Sequence, residues 1–440
     1  MRIAATLLLL AALAAPGASR ADPSGTWAGT VTLKRADGQS LTRRGAVRSS
    51  MEPANVPTLA ICNGTVIDGT GREPLADAVV VVRGSMIETV GRRSFVGIPA
   101  GATVIDAGGG TILPGFINAH VHDAFSARNL EAWARAGVTT VRDEGVVAAG
   151  PLAGFLARRA EWAAQPRHAR LVSAGRMLAP PKGYGTLPVG SPEEARRAVE
   201  EEVAQGVDLI KFSIEDGYGR VSDLPITTPG IAAAIVSSAH VHGKAVSAHV
   251  TEAVFAAQAV AAGVDDLGHV TSDPLPDEVI RTLVARDIHV TPTLTVFEAY
   301  GAGEGAAATL KQLVGAGVKV ALGNDYTDVP QNNFPHFELG MPMFEIHRMA
   351  DAGMTPMAII VSATRDAAAV CRLDKTLGTL EAGRTADILV VAGDPLANLD
   401  ALTAVRAVVH GGVVIRNEAD QRRAPGKAGG DGAAPLVAGH

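Results

Sequence analysis

Short apolar runs alternate with amphipathic stretches between Gly115 and Leu373, and this pattern predicts strands that alternate with helices. A glycine directly before an apolar run marks the helix ends, at Gly137-Val138, Gly206-Val207, Gly263-Val264 and Gly317-Val318. A capping residue before a proline marks helix starts, at Ser191-Pro192, Thr228-Pro229 and Thr355-Pro356. The candidate strands lie near Phe116, Thr139, Leu171, Leu209, Val246, Asp266, Val290 and Val320. Eight units predict an α/β fold, a (β/α)8 TIM barrel with its active site at the C-terminal strand ends, over the alternative of an open doubly wound sheet.

Both flanks of this region have the alternation and the turns of β structure. Before it, Asn63-Gly64 predicts a hairpin between residues 59–62 and 65–68, and Arg83-Gly84 predicts another between 78–82 and 86–90. After it, residues 387–392 predict a strand, and Gly411-Gly412 joins 405–409 to 413–415. These later strands have no barrel to join, so we expect them to pair with the N-terminal hairpins. The predicted organisation is a barrel over 112–374 and one small β-sandwich over 57–111 and 375–418.

The two chain ends differ from the rest in composition. Residues 1–21 resemble a secretory signal peptide, with Arg2, an apolar run over 3–15, and the small residues Ser19 and Ala21 before the expected cleavage. We therefore expect a periplasmic or secreted protein without a membrane anchor. Residues 22–56 are polar and receive no function; 25–33 has some strand character, whereas Arg43 and Arg44 are typical of a linker. The tail over 419–440 is rich in Gly, Ala and Pro, and we expect it to be disordered.

Composition narrows the classes of partner. The 440 residues are 47% apolar and 19% charged, which allows a large core, and a net charge of −6 with mixed signs favours neither nucleic acid nor a membrane surface. A small-molecule substrate is expected, and assembly into a homo-oligomer is left open. Cys62 and Cys371 are the two cysteines; one disulfide or two free thiols are both open.

The candidate chemistry lies where the apolar runs stop. His120 and His122 follow the first strand, and residues two apart on a strand point to the same side, so both imidazoles can bind one metal ion. The other candidate metal ligands are Lys211, His249, His269 and Asp325, which end strands four, five, six and eight. Four imidazoles and a carboxylate favour zinc or a similar metal. Lys211 either reacts with CO2 to give a carbamate (a carboxylated lysine) that bridges two divalent metal ions, which we favour, or pairs with Glu215 or Asp216.

Other polar residues are candidates for substrate binding. Arg142 ends strand two, where an internal ion pair is the favoured alternative, and His289 lies inside strand seven, where core packing is equally expected. Tyr184, Tyr218 and His336 lie in long loops after strands three, four and eight. His240 and His242 also have H-x-H spacing, but they end a predicted helix and face different directions, so we exclude them as ligands.

Several motifs together resemble the amidohydrolase superfamily. They are L-P-G-F-I-N-A-H-V-H at 113–122, G-V-D-L-I-K-F at 206–212, G-N-D at 323–325 and G-T-L-E-A-G-R-T-A-D-I-L-V at 378–390. The resemblance covers about residues 57–418 and implies the barrel and the sandwich described above. V-T-T-V-R-D at 138–143, S-A-T at 362–364 and the strand-four lysine are similar to the binuclear zinc prolidase-like (Xaa-Pro and Xaa-Arg) dipeptidases. Asn324 departs from the Thr or Ser of many relatives, and Tyr184 stands where that branch would have a histidine.

The expected function is exported metal-dependent hydrolysis of an amide bond in a dipeptide or an N-acyl amino acid. A metal-bound hydroxide would attack the carbonyl, with Asp325 as general base and then acid. By family analogy, Tyr218 would donate to the developing oxyanion. The rival enzyme is a mononuclear, imidazolonepropionase-like hydrolase of a cyclic amide, amidine or lactone, in which Glu252 near His249 carries a second proton. A non-catalytic binding protein is a third class, which a full ligand set argues against.

Overall fold

Strands and helices alternate over most of the residues that the computed structural model describes, which are 26–34, 40–48, 56–146, 150–217, 222–328 and 335–418. The strands before residue 150 are β1 (Thr26–Lys34), β2 (Ser40–Arg48), β3 (Thr58–Val66), β4 (Leu75–Arg83), β5 (Met86–Arg92), β6 (Thr103–Asp106), β7 (Thr111–Pro114), β8 (Phe116–Val121) and β9 (Val138–Asp143). The later strands are β10 (Arg170–Ser173), β11 (Leu178–Ala179), β12 (Leu187–Pro188), β13 (Leu209–Ser213), β14 (Ala245–His249), β15 (Asp266–Leu267), β16 (His289–Val290), β17 (Ile388–Val391), β18 (Val405–His410) and β19 (Val413–Asn417).

The helices lie mainly between these later strands. They are α1 (Ala127–Arg135), α2 (Leu152–Ala163), α3 (Pro192–Gln205), α4 (Pro229–Val241), α5 (Ala253–Ala262), α6 (Asp277–Ala285), α7 (Leu294–Ala299), α8 (Gly303–Gly315), α9 (Met343–Asp351), α10 (Pro356–Val361) and α11 (Ala367–Val370), with a π-helical turn at Ser362–Asp366 and a 3-10 turn at Leu399–Thr403. The predicted helix starts are confirmed, since the side chains of Ser191, Thr228 and Thr355 each cap a helix. None of the helices described is long and apolar enough to cross a membrane.

The chain divides into two compact units, Met1–Pro57 and Thr58–His440. In the first unit, β1 and β2 pair as an antiparallel hairpin with Thr30 opposite Arg44. The linker expected at Arg43 and Arg44 is therefore wrong, because both residues lie inside β2. Ladder hydrogen bonds do not depend on side-chain type, so pairing can impose a strand on a polar sequence. The predicted signal peptide over 1–21 and the predicted tail over 419–440 lie outside the described residues.

One mixed sheet in the second unit takes strands from both ends of that unit. Its order is β19-β18-β17-β7-β3-β4-β5, and β6 pairs with β3. The junction is the antiparallel pair β17 and β7, in which Val390 lies opposite Ile112. Ile61, Val80 and Val409 are fully buried in the core of this sheet. The pairing of late strands with early ones is as expected, whereas the two-layer sandwich stays a prediction.

The hairpin predicted at Asn63-Gly64 is wrong, because β3 runs through both residues. Asn63 has a φ of 58°, and the ladder between β3 and β4 shifts register here, as in a β-bulge. A Cβ on Gly64 would lie 2.8 Å from the Cβ of Ala107, so the bulge allows a close backbone approach. An Asn-Gly pair favours the left-handed region, and a bulge uses that conformation as a hairpin turn does. The hairpins at Arg83-Gly84 and Gly411-Gly412 are confirmed.

Seven of the eight predicted barrel positions are strands, β8, β9, β10, β13, β14, β15 and β16. The eighth, which we call the eighth segment (residues 319–326), forms a parallel bridge from Val320 to Val290. Neighbouring strands pair in parallel, and a bridge from Ala174 to Leu209 joins β10 to β13. On its other side, the eighth segment bonds to β8, where the amide of Ala119 donates to the carbonyl of Leu322 at 2.7 Å. Parallel pairing brings the C-terminal ends of these strands to one edge, and the predicted ligands lie within or just after these strands.

Candidate metal centre

Three of the predicted ligands converge on one point at this edge. Nε2 of His120 and Nε2 of His122 lie 3.3 and 3.2 Å from Oδ1 of Asp325. Among the described residues, these three side chains form the group whose ligand atoms all lie within 4.8 Å of one another. The histidines come from the end of β8 and the aspartate from the eighth segment, about 200 positions later, so only the fold brings them together.

Backbone carbonyls orient both imidazoles of this group. Nδ1 of His120 lies 2.7 Å from the carbonyl of Gly268, and Nδ1 of His122 lies 3.1 Å from the carbonyl of Gly145. A carbonyl only accepts, so each Nδ1 donates a proton, and each Nε2 is the nitrogen that faces the site. This is the orientation that a metal-ligating imidazole needs.

The eighth segment is built to bring Asp325 close to β8. A Cβ on Gly323 would lie 2.7 Å from the Cβ of His120, so only glycine allows this approach. Asp325 has a φ of 55°, and its amide donates to the carbonyl of His120 at 2.9 Å. Asn324, which departs from the Thr or Ser of many relatives, accepts a hydrogen bond from Asn118 at 2.8 Å in a buried position. The amide side chain therefore ties the eighth segment to β8.

His269 and His249 extend the centre as a row of rings. The ring of His269 lies 4.6 Å from that of His120, and the ring of His249 lies 4.5 Å from that of His269. Tyr184 stacks on His249 at 4.5 Å, so this predicted substrate contact does border the row. Oε2 of Glu215 lies 3.6 Å from Nε2 of His249.

Electrostatics favour the metal-binding forms of His120, His269 and Asp325 but not of His122. Burial lowers the pKa of His122, but Asp325 outweighs burial and raises that pKa to about 9, so an incoming ion would displace a proton there. Burial and the charge of Lys211 lower the pKa of His120, and burial with the neighbouring histidines holds the pKa of His269 well below its ordinary value. Burial opposes ionisation of Asp325, but His120 and His122 outweigh it and keep its pKa well below the usual range. Neutral imidazoles and an ionised carboxylate are the forms that ligate metals.

Lys211 is buried and paired, but with a different partner from those expected. Its Nζ lies 2.6 Å from Oε2 of Glu144, instead of pairing with Glu215 or Asp216. Oε1 of Glu144 lies 2.8 Å from Arg142, which binds Asp266 with both terminal nitrogens at 3.0 and 2.8 Å. The four charged groups form one buried chain. Sequence reasoning missed Glu144, although it directly follows Arg142 and Asp143 at the end of β9.

The other predicted residues differ in where the structure places them. Arg142 is fully buried in the charge chain, which agrees with the ion-pair alternative and does not support substrate binding. His289 is the first residue of β16, at the opposite end of the strands, so substrate contact is not supported there either. His336 stacks on Phe344 at 4.2 Å. Tyr218 lies outside the described residues. His240 and His242 are exposed, as predicted.

The three converging side chains fit a divalent ion. Nε2 of His120 and Oδ1 of Asp325 are buried and make no hydrogen bond to any described residue, although they face each other. Buried polar atoms seldom lack partners, and an ion between them would satisfy both. Lys211 does not belong to this group, because its amine faces Glu144. His249 and His269 border the group and could add ligands when an ion is present.

Comparisons with known proteins agree with this arrangement. A model of the amidohydrolase family matches residues 111–415. An enamidase from Eubacterium barkeri is 24% identical over 78% of this chain and 89% of its own length. An imidazolonepropionase from Solibacter usitatus is 25% identical over 72% of this chain and 84% of its own length.

A solved structure shares the fold. The crystal structure of a Xaa-Pro dipeptidase with bound methionine in the active site aligns with a TM-score of 0.73 at 23% identity, over 82% of this chain and all (100%) of that one. The family match spans well over half of the 440 residues and includes the three converging ligands. The chain therefore belongs to the amidohydrolase family and is a hydrolase.

Proposed function

We propose that this protein is an exported metal-dependent amidohydrolase that cleaves the amide bond of a dipeptide or an N-acyl amino acid. The observation that carries the proposal is the convergence of His120, His122 and Asp325, with the two imidazoles oriented by backbone carbonyls. Export rests on the signal-like pattern of residues 1–21. The proposal includes closure of the eight segments into a (β/α)8 barrel, which the hydrogen bonds from the eighth segment to both β8 and β16 support.

The proposed chemistry assigns roles to Asp325, His120 and His122 and to a bound divalent ion. A bound divalent ion supplies Lewis acidity, which favours attack of water on a carbonyl carbon. Asp325 takes the proton of the attacking water and returns it to the leaving amine. His120 and His122 hold their places through the carbonyls of Gly268 and Gly145. Donation by Tyr218 to the developing oxyanion stays a prediction.

The dipeptide assignment is supported by the fold shared with the Xaa-Pro dipeptidase. A dipeptide presents an amide carbonyl and a leaving amine, and the proposed roles of Asp325 require both. Tyr184 stacks on His249 at the end of the histidine row, and a substrate side chain can pack against these two rings. The side chain that the site accepts is left to experiment.

A second candidate is a mononuclear hydrolase of a cyclic amide, amidine or lactone. The ion pair between Lys211 and Glu144 favours it, because an amine held as an ammonium cannot form the carbamate that would bridge two ions. The enamidase and imidazolonepropionase relatives are named for reactions of this wider group. The expected proton carrier for this route, Glu252, is exposed, and the carboxylate beside His249 is that of Glu215.

The test measures metal and turnover on one preparation. Bound zinc, iron, manganese and cobalt are counted per chain after reconstitution. Carboxylation of Lys211 is followed by ¹³C NMR of the intact protein equilibrated with ¹³CO2. Dipeptides, N-acyl amino acids, cyclic amides and lactones are then assayed, with His120→Ala as the inactive control. Two ions, a carbamate signal and dipeptide cleavage support the first candidate. One ion, no carbamate and cleavage of a cyclic substrate support the second, and failure to bind any metal refutes both.

Export has its own test. Expression of the full chain in a bacterium, followed by fractionation and N-terminal sequencing, should give a periplasmic form that has lost the first 21 or so residues. Recovery of the intact chain from the cytoplasm alone would contradict export, and the proposed amide hydrolysis would be unaffected.

A further inference from the structure

We propose that Glu345, a buried residue of α9, positions the candidate metal ligand His269 through the strained residue Thr293. The proposal rests on the proposed function, because the orientation of His269 matters only if the centre binds a metal ion. It adds two residues to the site that the sequence does not suggest, since 52 positions separate Glu345 from Thr293.

One hydrogen bond fixes the ring of His269 through its Nδ1 atom. Its Nδ1 lies 2.7 Å from Oγ1 of Thr293, and both side chains are buried. When Nε2 ligates a metal ion, Nδ1 carries the proton and donates it to an acceptor, and that acceptor sets the tautomer and the ring orientation. Thr293 takes for His269 the role that the carbonyls of Gly268 and Gly145 take for His120 and His122.

Thr293 reaches His269 from an unfavourable backbone conformation. It has a φ of 51° and a ψ of 42°, in the left-handed region, which a β-branched residue rarely adopts. Such strain persists only where the surroundings hold it, and it concentrates at functional sites. Thr293 also precedes α7, and a threonine in that position normally caps the helix with its hydroxyl. Here its side chain makes no capping bond and goes to His269 instead.

Glu345 caps α7 in place of Thr293, whose side chain makes no capping bond. Its two carboxylate oxygens accept from the amides of Leu294 at 2.8 Å and Thr295 at 2.7 Å, and from the hydroxyl of Thr295 at 2.7 Å. These are the first amides of α7, which otherwise lack partners. The carboxylate of Glu345 therefore fixes the start of α7 while the hydroxyl of Thr293 stays free for His269. A simple capping role for Glu345 would require neither the strain at Thr293 nor its bond to His269.

The experiment separates positioning from folding. Thr293→Val keeps the β-branched shape but removes the acceptor, whereas Thr293→Ser keeps the acceptor. Glu345→Gln keeps the size but loses one accepting oxygen, and Glu202→Gln is the matched control, because Glu202 is a buried glutamate of α3 that accepts a backbone amide away from the histidine row. Zinc affinity is measured for each folded protein by titration against a chromogenic chelator.

We expect Thr293→Val and Glu345→Gln to weaken zinc binding by about 10-fold to 100-fold, the usual effect of losing an outer partner of a ligand. Thr293→Ser should keep zinc affinity within about 3-fold of wild type, because it keeps the acceptor oxygen. Glu202→Gln should leave zinc affinity unchanged. Unchanged zinc affinity in Thr293→Val or Glu345→Gln would overturn the proposal. If Glu345→Gln does not fold, Glu345→Asp, which keeps the charge but shortens its reach, is measured in the same way.

A metal-free readout keeps this proposal separate from the proposed function. The ¹⁵N shifts of the His269 ring in the metal-free protein report which nitrogen carries the proton. Wild type should show the proton on Nδ1, and Thr293→Val should show a mixture of the two forms. If wild type binds no zinc but shows this tautomer pattern, the proposed function fails while the positioning contact stands. If wild type binds zinc and the tautomer does not respond to either variant, the positioning role fails alone.

Discussion

The two ends of the parallel strands are both rich in charged and titratable side chains, yet only one end is arranged as a site. At the N-terminal end, a cavity of about 420 Å³ is lined by Asp265, Asp266, Asp287, His289, Arg286 and Arg372, among others. Most of these charges are already matched: Asp265 pairs with Arg372, and Asp287 pairs with Lys319. At the C-terminal end, the ligand atoms of His120, His122 and Asp325 face one another without hydrogen bonds of their own between them.

The two ends of the strands differ in whether their ligand atoms point at one common position. Nε2 of His289 also lacks a hydrogen-bond partner among the described residues, but it does not belong to a group of three ligand atoms as His120 does. A metal ion needs several lone pairs aimed at one point, whereas a stable fold needs each buried charge to have an opposite neighbour. The number of charged residues therefore does not distinguish the two ends of the strands. The direction of the lone pairs on the ligand atoms distinguishes them.

The largest effect should come from removing the proposed proton carrier. Asp325→Asn keeps the shape but cannot take a proton, so we expect kcat on the best substrate to fall on the order of 10²–10⁴-fold. The substituted amide keeps an oxygen beside His120 and His122, and metal content measured on the same sample separates loss of the proton carrier from loss of the ion. Asp287→Asn, at the other end of the strands, is the matched control and should leave kcat unchanged. A full rate in Asp325→Asn would remove its assigned role.

The buried charge chain should be the next most sensitive feature. Glu144→Gln leaves the buried amine of Lys211 without its carboxylate, which should cost about 3–5 kcal/mol of unfolding free energy. Lys211→Met should cost less, because Glu144 keeps its ion pair with Arg142. The double variant should cost less than the sum of the two, since it removes both charges. Urea unfolding of the metal-free proteins measures all three. Additive costs would show that Lys211 and Glu144 do not interact.

A buried glutamate outside the centre should make stability depend on pH. Burial raises the pKa of Glu202 from an ordinary 4.5 to about 7. Its stabilising contribution is therefore complete below pH 4.5 and is lost as the pH rises through 7, at a cost of about 3 kcal/mol. Urea unfolding of wild type and Glu202→Gln between pH 4.5 and 8 checks this. The variant should lose less stability over that range, and equal slopes would contradict the prediction.

The smallest effect should come from the exposed pairs at the N-terminal end. Nζ of Lys319 lies 2.7 Å from Oδ1 of Asp287, with both side chains largely exposed. Solvent and salt screen such a pair, so Lys319→Ala should cost less than about 1 kcal/mol and leave metal content unchanged. A loss of metal in this variant would mean that the two ends of the strands are coupled. Thermal unfolding and metal analysis of the same samples decide the point.

Local patterns predicted much of the fold. Glycines after helices, capping residues before prolines and apolar runs placed the helix ends and seven of the eight strand positions correctly, because these signals act within a few residues. The failure at Asn63-Gly64 has the same origin, since the left-handed conformation of Asn63 suits a bulge as well as a hairpin turn. Arg43 and Arg44 failed for the opposite reason, because pairing with a neighbouring strand overrides weak local preference.

The site was predicted less completely than the fold. Spacing identified His120 and His122, and strand ends identified His249, His269 and Asp325 as neighbours of that pair. Glu144 and Glu345 were missed because neither residue belongs to a recognisable motif, although Glu144 directly follows β9. A buried carboxylate acquires its role from groups that lie tens or hundreds of positions away, and no local pattern encodes those groups.

The amino-acid sequence alone determined the family, the alternation of strands and helices, and the residue types able to hold a metal ion, because each of these depends on neighbours along the chain. The tertiary structure decided which atoms meet. It paired Lys211 with Glu144, turned Arg142 and His289 away from the centre, and set Thr293 behind His269. Distances of 2.6–3.3 Å between side chains of remote strands follow from packing, and packing is a property of the whole chain.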